Sequence, residues 1–358
     1  MSGLQPLDQS PASLFDVALL DLDGVVYRGA AAVDHAPDSI AAVRAAGMGV
    51  MYVTNNANRP PSTVAAHLTE IGVPTTAADV TTAAQAAAGL VASEYPAGTR
   101  VLVVGGAGLR EALTAEGLVP VESADDAPAV VVQGFAPDVG WAQLTEAVLA
   151  ISAGAEHVAS NLDATLPMER GSALGNGSLV AAVVNATGRR PRSTGKPRPE
   201  IFLQAASRAG ASRPIVVGDR LDTDLEGARA AGYPGMHVLT GVDLGGALLA
   251  CVPEQRPTQL AHDLRGLLEP HPAVEREGDR WRCRAARAWF DATAGAVCLE
   301  RNGTEVPLTH GTEIELDELR AACAAAWRAA DEAGAPTLLN VHPQIRVTRP
   351  GGGTGAIA

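Results

Sequence analysis

Short apolar runs that stop abruptly at acids, amides or hydroxyls constrain this chain more than any other feature. Val17, Ala18, Leu19 and Leu20 run into Asp21, residues 49–53 run into Thr54, and residues 214–217 run into Gly218 and Asp219. Runs of this length suit strands buried on both faces. Between them the pattern predicts helices over 38–46, 62–71, 199–209 and 224–231, the first two closed by Gly47 and Gly72. Strands alternating with helices predict an α/β fold whose core is a doubly wound, Rossmann-like parallel sheet. Ligands of such sheets sit outside the carboxyl ends of the strands. That is where these polar strand ends fall.

The alternation returns in a more compact form over 83–190, with strands at 100–104, 129–133 and 158–159 and helices at 141–153 and 179–186. It ends at the basic stretch Gly188, Arg189, Arg190, Pro191, Arg192 and Ser193. The first style then resumes, with strands at 214–217 and 237–240. Residues 83–190 therefore read as an α/β domain inserted into a core made of 1–82 and 191–269. A composition break follows Pro270 and Pro272. Residues 270–358 hold three of the four Trp and three of the four Cys, a strand or hairpin over 289–299 and an Ala-rich helix over 316–333. This reads as a small accessory α+β domain. Its helix and its glycines at 351–355 give a faint likeness to a truncated acyltransferase, but no helix N-terminus follows the glycines to hold an acyl-CoA phosphate.

Composition narrows the classes of function. The 358 residues are 47% hydrophobic and 19% charged, an ordinary globular balance. The formal net charge of −13 disfavours nucleic acid and anionic membrane, both of which select Lys and Arg. Cys251, Cys283, Cys298 and Cys323 form no Cys-x-x-Cys, so reduced thiols and a cytoplasmic location are expected. Residues 1–15 carry no basic run followed by a long apolar stretch, and no apolar segment is long enough to insert into a membrane. The eight His show no metal spacing, which disfavours zinc.

Four stretches carry chemistry. Asp21 and Asp23, two apart at a strand end and followed by Gly24, suit a divalent cation or a nucleophile paired with a general acid. Thr54, Asn55 and Asn56 offer a hydroxyl, two amides and loop N–H groups to an anionic oxygen. Lys196, in the turn Thr194-Gly195-Lys196-Pro197 before a helix, can place a positive charge beside phosphate. Asp219 follows Gly218, and Asp224 lies at the start of the next helix. Each stretch standing alone is as readily an ordinary polar turn. Their order along the chain is far more specific.

In that order they resemble the haloacid-dehalogenase superfamily, and the insertion between Thr54 and Lys196 resembles the large α/β cap of its subclass IIA phosphatases. Asn161-Leu162-Asp163, Gly175-Asn176-Gly177-Ser178, Gly195-Lys196-Pro197 and Gly218-Asp219-Arg220-Leu221-Asp222-Thr223-Asp224 look like that subclass too. The resemblance covers about 14–269 and leaves 270–358 aside. It implies that Asp21 is the nucleophile and forms an aspartyl-phosphate, and that Asp23 protonates the leaving alkoxide. It implies Mg²⁺ held by Asp21, the Asp23 carbonyl and Asp219, with Asp224 orienting those ligands from behind. Thr54, Asn55 and Asn56 would hold phosphate oxygens, and Lys196 would offset the clash of two anions. An acid at 23 favours hydrolysis over a lasting phosphoenzyme. Asn161 and Asp163, with residues 168–170, would face the non-phosphate end of a small phosphorylated metabolite. Glycerol 3-phosphate is favoured; phosphoglycolate, pyridoxal 5′-phosphate and nucleotide monophosphates stay open. A homo-oligomer is also left open, as is a catalytically idle core that serves a regulatory or binding tail.

Two further features read blandly. Gly106 and Gly108 after a strand lack the third Gly of a dinucleotide fingerprint, since Glu111 stands in its place, so a strand–turn–helix is expected. Arg189, Arg190, Arg192, Lys196 and Arg198 form a local basic cluster, either a solvated linker or a guide for anions.

Overall fold

The computed structural model describes residues 3–168, 170–334 and 344–348. The chain falls into two compact units, Met1–Arg28 with Ala32–Val50 and Ala211–Ala358, and Gly29–Ala31 with Met51–Gly210. The fold is α/β, with parallel core strands, an inserted α/β region and a smaller C-terminal α+β region.

In the first unit, four parallel strands lie in the order Gln259–Ala261, Gly235–Val238, Pro214–Gly218, Val17–Leu20. Val17 pairs with Pro214 and Leu20 with Val217, so the two central strands end level. Every residue of Val17–Leu20 and Pro214–Gly218 is buried, as their unbroken apolar runs require. The strand Gln259–Ala261 was not foreseen. It is three residues long, begins on a glutamine and follows Pro257, which leaves no periodicity to read.

The expected helix over 224–231 is replaced by a π-helical turn, Leu221–Leu225, and a short helix, Glu226–Ala230. The N–H groups of Asp224 and Leu225 both donate to the Arg220 carbonyl, at 3.1 and 3.2 Å. The extra residue widens the turn, a device common at functional sites.

The C-terminal part of this unit is a five-stranded antiparallel meander from Val274–Glu277 to Thr304–Pro307, followed by the helix Leu316–Ala333. The expected hairpin at 289–299 is the pair Ala286–Asp291 and Ala296–Arg301. One apolar cluster joins this region to the parallel-sheet part: Leu221, Leu225 and Leu248 share it with Leu319, Cys323 and Trp327. Burying each such Leu contributes about 1.5–3 kcal/mol. Arg256, nearly fully buried, makes a two-pronged ion pair with Asp331 at 2.8 Å and lies over the Trp327 ring. The glycines at 351–355 lie outside the described residues.

In the second unit, Tyr52, Val53 and Thr54 pair in parallel with Val80, Thr81 and Thr82. A five-stranded sheet follows, in the order Arg192–Ser193, Glu156–Ala159, Val130–Gln133, Arg100–Val104, Val119–Val121, all parallel. The helix Ala83–Glu94, for which no expectation was formed, opens on a capping box. Thr82 N–H donates to Gln85 Oε1, and Gln85 N–H donates to Thr82 Oγ1. Gly106 and Gly108 have a packing reason. A Cβ on Gly106 would lie 1.9 Å from Asn58 Oδ1, and one on Gly108 would lie 2.6 Å from the Ala57 carbonyl. The basic cluster is no single patch: Arg192 pairs with Glu94 at 2.7 Å, Arg189 donates to the Ile151 carbonyl, and Lys196 is buried.

Candidate active site

The candidate residues fall into two sets, one in each unit. The first set stands where Val17–Leu20 and Pro214–Gly218 end together. Asp21 N–H donates to the Val217 carbonyl at 2.9 Å, carrying the sheet register one residue further and bringing Asp21 level with Gly218 and Asp219. Carboxylate oxygens of Asp21, Asp219 and Asp224 lie within 4.8 Å of one another, and all three residues are buried. Asp224 reaches this group because the π-helical turn folds it back, and its Oδ2 accepts the Arg220 N–H at 3.1 Å. Asp23 is exposed on the turn that follows Asp21, where Gly24 N–H donates to the Tyr27 carbonyl.

Glycines shape the space around the acids. Gly24 has φ +83, and a Cβ on it would meet Asp219 Oδ2 at 2.6 Å. One on Gly241 would meet the same oxygen at 1.7 Å, and one on Gly218 would meet Asp224 Cβ at 2.1 Å. Only a backbone without Cβ leaves room for these carboxylates.

The loop at 241–244 was missed by the sequence reading. Val242 N–H donates to Asp219 Oδ2 at 2.6 Å, and Asp243 Oδ2 accepts the Leu221 N–H at 2.7 Å. Burial pushes the Asp243 carboxyl up, and the Leu221 N–H offsets only part of that rise. The signal was present in Thr240-Gly241, a turn after a strand, but neither residue carries reactive chemistry.

The second set surrounds Asn55. Its Oδ1 accepts the Lys196 N–H at 2.8 Å, and its Nδ2 donates to the Lys196 carbonyl at 3.1 Å. The same Nδ2 donates to the Asp163 carboxylate at 3.1 Å. Asn161 Nδ2 donates to the Asn55 carbonyl at 2.9 Å, and its Oδ1 accepts the Asp163 N–H. Lys196 is buried, with its Nζ 3.3 Å from the Val53 carbonyl. A Cβ on Gly195 would meet Asn55 Oδ1 at 2.6 Å, so this glycine is part of the fit. Thr54 Oγ1 accepts the Asn56 N–H at 3.1 Å, and Asn56 Oδ1 caps Asn58 and Arg59. Asn55, Asn161, Asp163 and Lys196 thus form one hydrogen-bonded network, and Thr54 and Asn56 form a separate pair on the same loop as Asn55. Of the loop 168–170, Glu169 and the Met168 side chain lie outside the described residues.

Buried acids at level ends of parallel strands, set in a glycine cradle, form an all-oxygen donor group that could hold a metal ion. Two family models agree: haloacid dehalogenase-like hydrolase over residues 18–119 and a HAD-hydrolase-like model over 193–267. The D-glycerol 3-phosphate phosphatase of Mycobacterium tuberculosis is 43% identical over 333 residues, 90% of this chain and 89% of that protein. An acid sugar phosphatase of Staphylococcus saprophyticus is 37% identical over 63% of this chain and 86% of its own length. The crystal structure of a glycerol phosphate phosphatase from M. tuberculosis in complex with magnesium superposes with a TM-score of 0.79 at 40% identity, covering 96% of both chains. The chain belongs to the haloacid dehalogenase-like hydrolase family. Its enzyme class is phosphoric monoester hydrolase.

Proposed function

We propose that this chain hydrolyses small phosphomonoesters in a Mg²⁺-dependent reaction, with glycerol 3-phosphate as its foremost substrate. The observation that carries the reading is the convergence of Asp21, Asp219 and Asp224. An all-oxygen donor set in a cradle cut to size by Gly24 and Gly241 fits a small hard cation. Asp21, Asp219 and the Asp23 carbonyl are the proposed ligands, and Asp224 orients Asp219 and Asp21 across the cluster. When bound, the cation supplies charge neutralisation for the anionic phosphate and nucleophile.

Asp21 Oδ attacks phosphorus, the new Asp21–phosphorus bond forms, and the bond to the substrate alkoxide breaks. Asp23, exposed on the turn after Asp21, gives the alkoxide its proton. Asp23 then takes a proton from water, whose oxygen attacks phosphorus and releases Asp21 with inorganic phosphate. Thr54 and the Asn55 N–H hold phosphate oxygens, the Asn56 N–H fixes the Thr54 hydroxyl that donates to them, and Lys196 balances their charge. Asn161 and Asp163 contact the non-phosphate end of the substrate. A 43% identical relative named for glycerol 3-phosphate favours that substrate over phosphoglycolate, pyridoxal 5′-phosphate or a nucleotide monophosphate. Four buried thiols suit a cytoplasmic setting.

The test is phosphate release from those four esters, with and without Mg²⁺, for the wild type and Asp21→Asn. The expected result is Mg²⁺-dependent release, fastest from glycerol 3-phosphate and abolished by Asp21→Asn. Release that survives Asp21→Asn would remove the nucleophile assignment. No release from any ester would turn attention to an idle core serving residues 270–358.

A further inference from the structure

Behind the three acids lies the 241–244 loop, which the proposed reaction does not use. It grips Asp219 at both ends: Val242 N–H donates to its Oδ2 at 2.6 Å and Asp243 N–H to its carbonyl at 3.1 Å. The Asp243 side chain faces the other way, taking the N–H of Leu221, the first residue of the π-helical turn that delivers Asp224. The loop is in turn fixed to the sheet, because His237 Nε2–H donates to the Asp243 carbonyl at 2.8 Å. One short loop therefore sets the position of two of the three carboxylates.

The loop is braced from the C-terminal region. It runs into the helix Gly245–Ala250, and Gly245 packs against the Ile345 and Val347 side chains. A Cβ on Gly245 would meet Ile345 Cδ1 at 2.9 Å and Val347 Cγ2 at 3.2 Å. Trp327, on the helix Leu316–Ala333, donates its Nε1–H to the Leu248 carbonyl at 2.7 Å. Leu221 and Leu225, which flank Asp224, belong to the same buried cluster as Leu319, Trp327 and Ile345. Both the loop and the turn thus rest on C-terminal side chains.

We propose that the C-terminal region tunes the cation affinity of the Asp21–Asp219–Asp224 cluster through this loop, with Asp243 as the positioning residue. The inference rests on the reading of that cluster as a Mg²⁺ site. Mg²⁺ demands near-ideal octahedral geometry, so small shifts of its ligands register first in affinity. Groups behind the ligands are typically worth about 10–100-fold in metal affinity.

The experiment titrates Mg²⁺ into the full chain and follows the rise in melting temperature. The KM for glycerol 3-phosphate is measured in parallel at saturating Mg²⁺. Asp243→Ala is expected to raise the half-saturating Mg²⁺ concentration about tenfold or more, with KM within about twofold of the wild type. Asp243→Asn keeps an acceptor for the Leu221 N–H and is expected to restore most of the loss. Trp327→Phe and Ile345→Ala are expected to shift the titration the same way by about threefold, and they carry the test should Asp243→Ala fail to fold. A wild-type Mg²⁺ titration in folded Asp243→Ala overturns the proposal. So does a lower melting temperature in both Trp327→Phe and Ile345→Ala with the Mg²⁺ midpoint unmoved. A wild type whose melting ignores Mg²⁺ would instead overturn the reading of the cluster itself.

Discussion

The two sets of candidate residues are held in opposite ways. In the first unit, the chain concentrates negative charge: three buried carboxylates share one space, and the backbone holds them there. Asp219 takes the Val242 N–H, Asp224 takes the Arg220 N–H, and glycines at 24, 218 and 241 vacate the volume. In the second unit, the held group is a lysine, and the holder is a side chain. One amide, Asn55, reads both the N–H and the carbonyl of Lys196, while its Nδ2 also reaches Asp163. The first arrangement calls for counter-charge, because like charges repel and burial desolvates them. The second is neutral in its hydrogen bonding and close to fully satisfied. The difference teaches where each set is fragile: the acids to any loss of space, the lysine to any loss of donor–acceptor polarity.

The largest expected effect comes from filling the space. Gly241→Ala places a methyl where Asp219 Oδ2 now sits, so the carboxylate must swing away. We expect the Mg²⁺-dependent phosphatase rate to fall about 100-fold or more. Gly278→Ala in the same unit, a glycine with φ +67 and open space around it, is expected to leave the rate within about twofold while lowering stability by about 1 kcal/mol. Equal losses in both would show that a general loss of stability, rather than the crowding of Asp219, explains the first. The comparison is made by steady-state kinetics beside thermal melts.

Polarity gives the next effect, in the second unit. Asn55→Asp keeps an acceptor for the Lys196 N–H but turns a carboxylate toward the Lys196 carbonyl and toward Asp163. We expect kcat/KM to fall about 30-fold or more, and Asn55→Ala to cost somewhat less. Adding Asp163→Asn to Asn55→Asp restores a donor–acceptor pair between 55 and 163. The double variant is therefore expected to recover part of the loss, an interaction measurable as a double-mutant cycle. Additive losses would mean that the Asn55–Asp163 contact does not couple these loops.

The same contrast explains what could be read from sequence. Asp21, Asp219 and Thr54 were legible because each terminates an apolar run, and a strand buried on both faces announces its own end. From the residues alone Asp224 was legible only as an acid at the start of a helix; its place beside the other carboxylates followed from the resemblance, because the π-helical turn shifts it by one residue and no propensity encodes that shift. Asn55 and Lys196 are 141 positions apart in the chain, and Asn55 and Asp163 are 108 apart. Such pairs leave no local pattern, so their hydrogen bonds had to be seen. The 241–244 loop is hidden for the same reason: Val242 acts through its backbone N–H, which every residue except proline possesses.

The smallest expected effect distinguishes the units by acid. Burial pulls three histidines down to about 4: His157 in the second unit, and His237 and His271 in the first. Each stays neutral in the folded chain while its unfolded counterpart takes up a proton near pH 6.5. Between those values the unfolded state binds more protons, so stability falls as the pH drops from about 6.5 toward 4. At pH 5 each histidine is expected to have withdrawn about 1–2 kcal/mol of the stability present at pH 7. His157 donates from Nε2 to Gln133 Oε1, and its Nδ1 meets no hydrogen-bond partner among the described residues, which is the arrangement of a neutral ring. His157→Gln removes the titrating group and should flatten the acid slope of the second unit by that amount, leaving the two-histidine slope of the first unit in place. Melting curves at pH 7, 6 and 5, for this variant and the wild type, measure the difference. An unchanged slope would mean that the buried ring of His157 is not what makes this unit sensitive to acid.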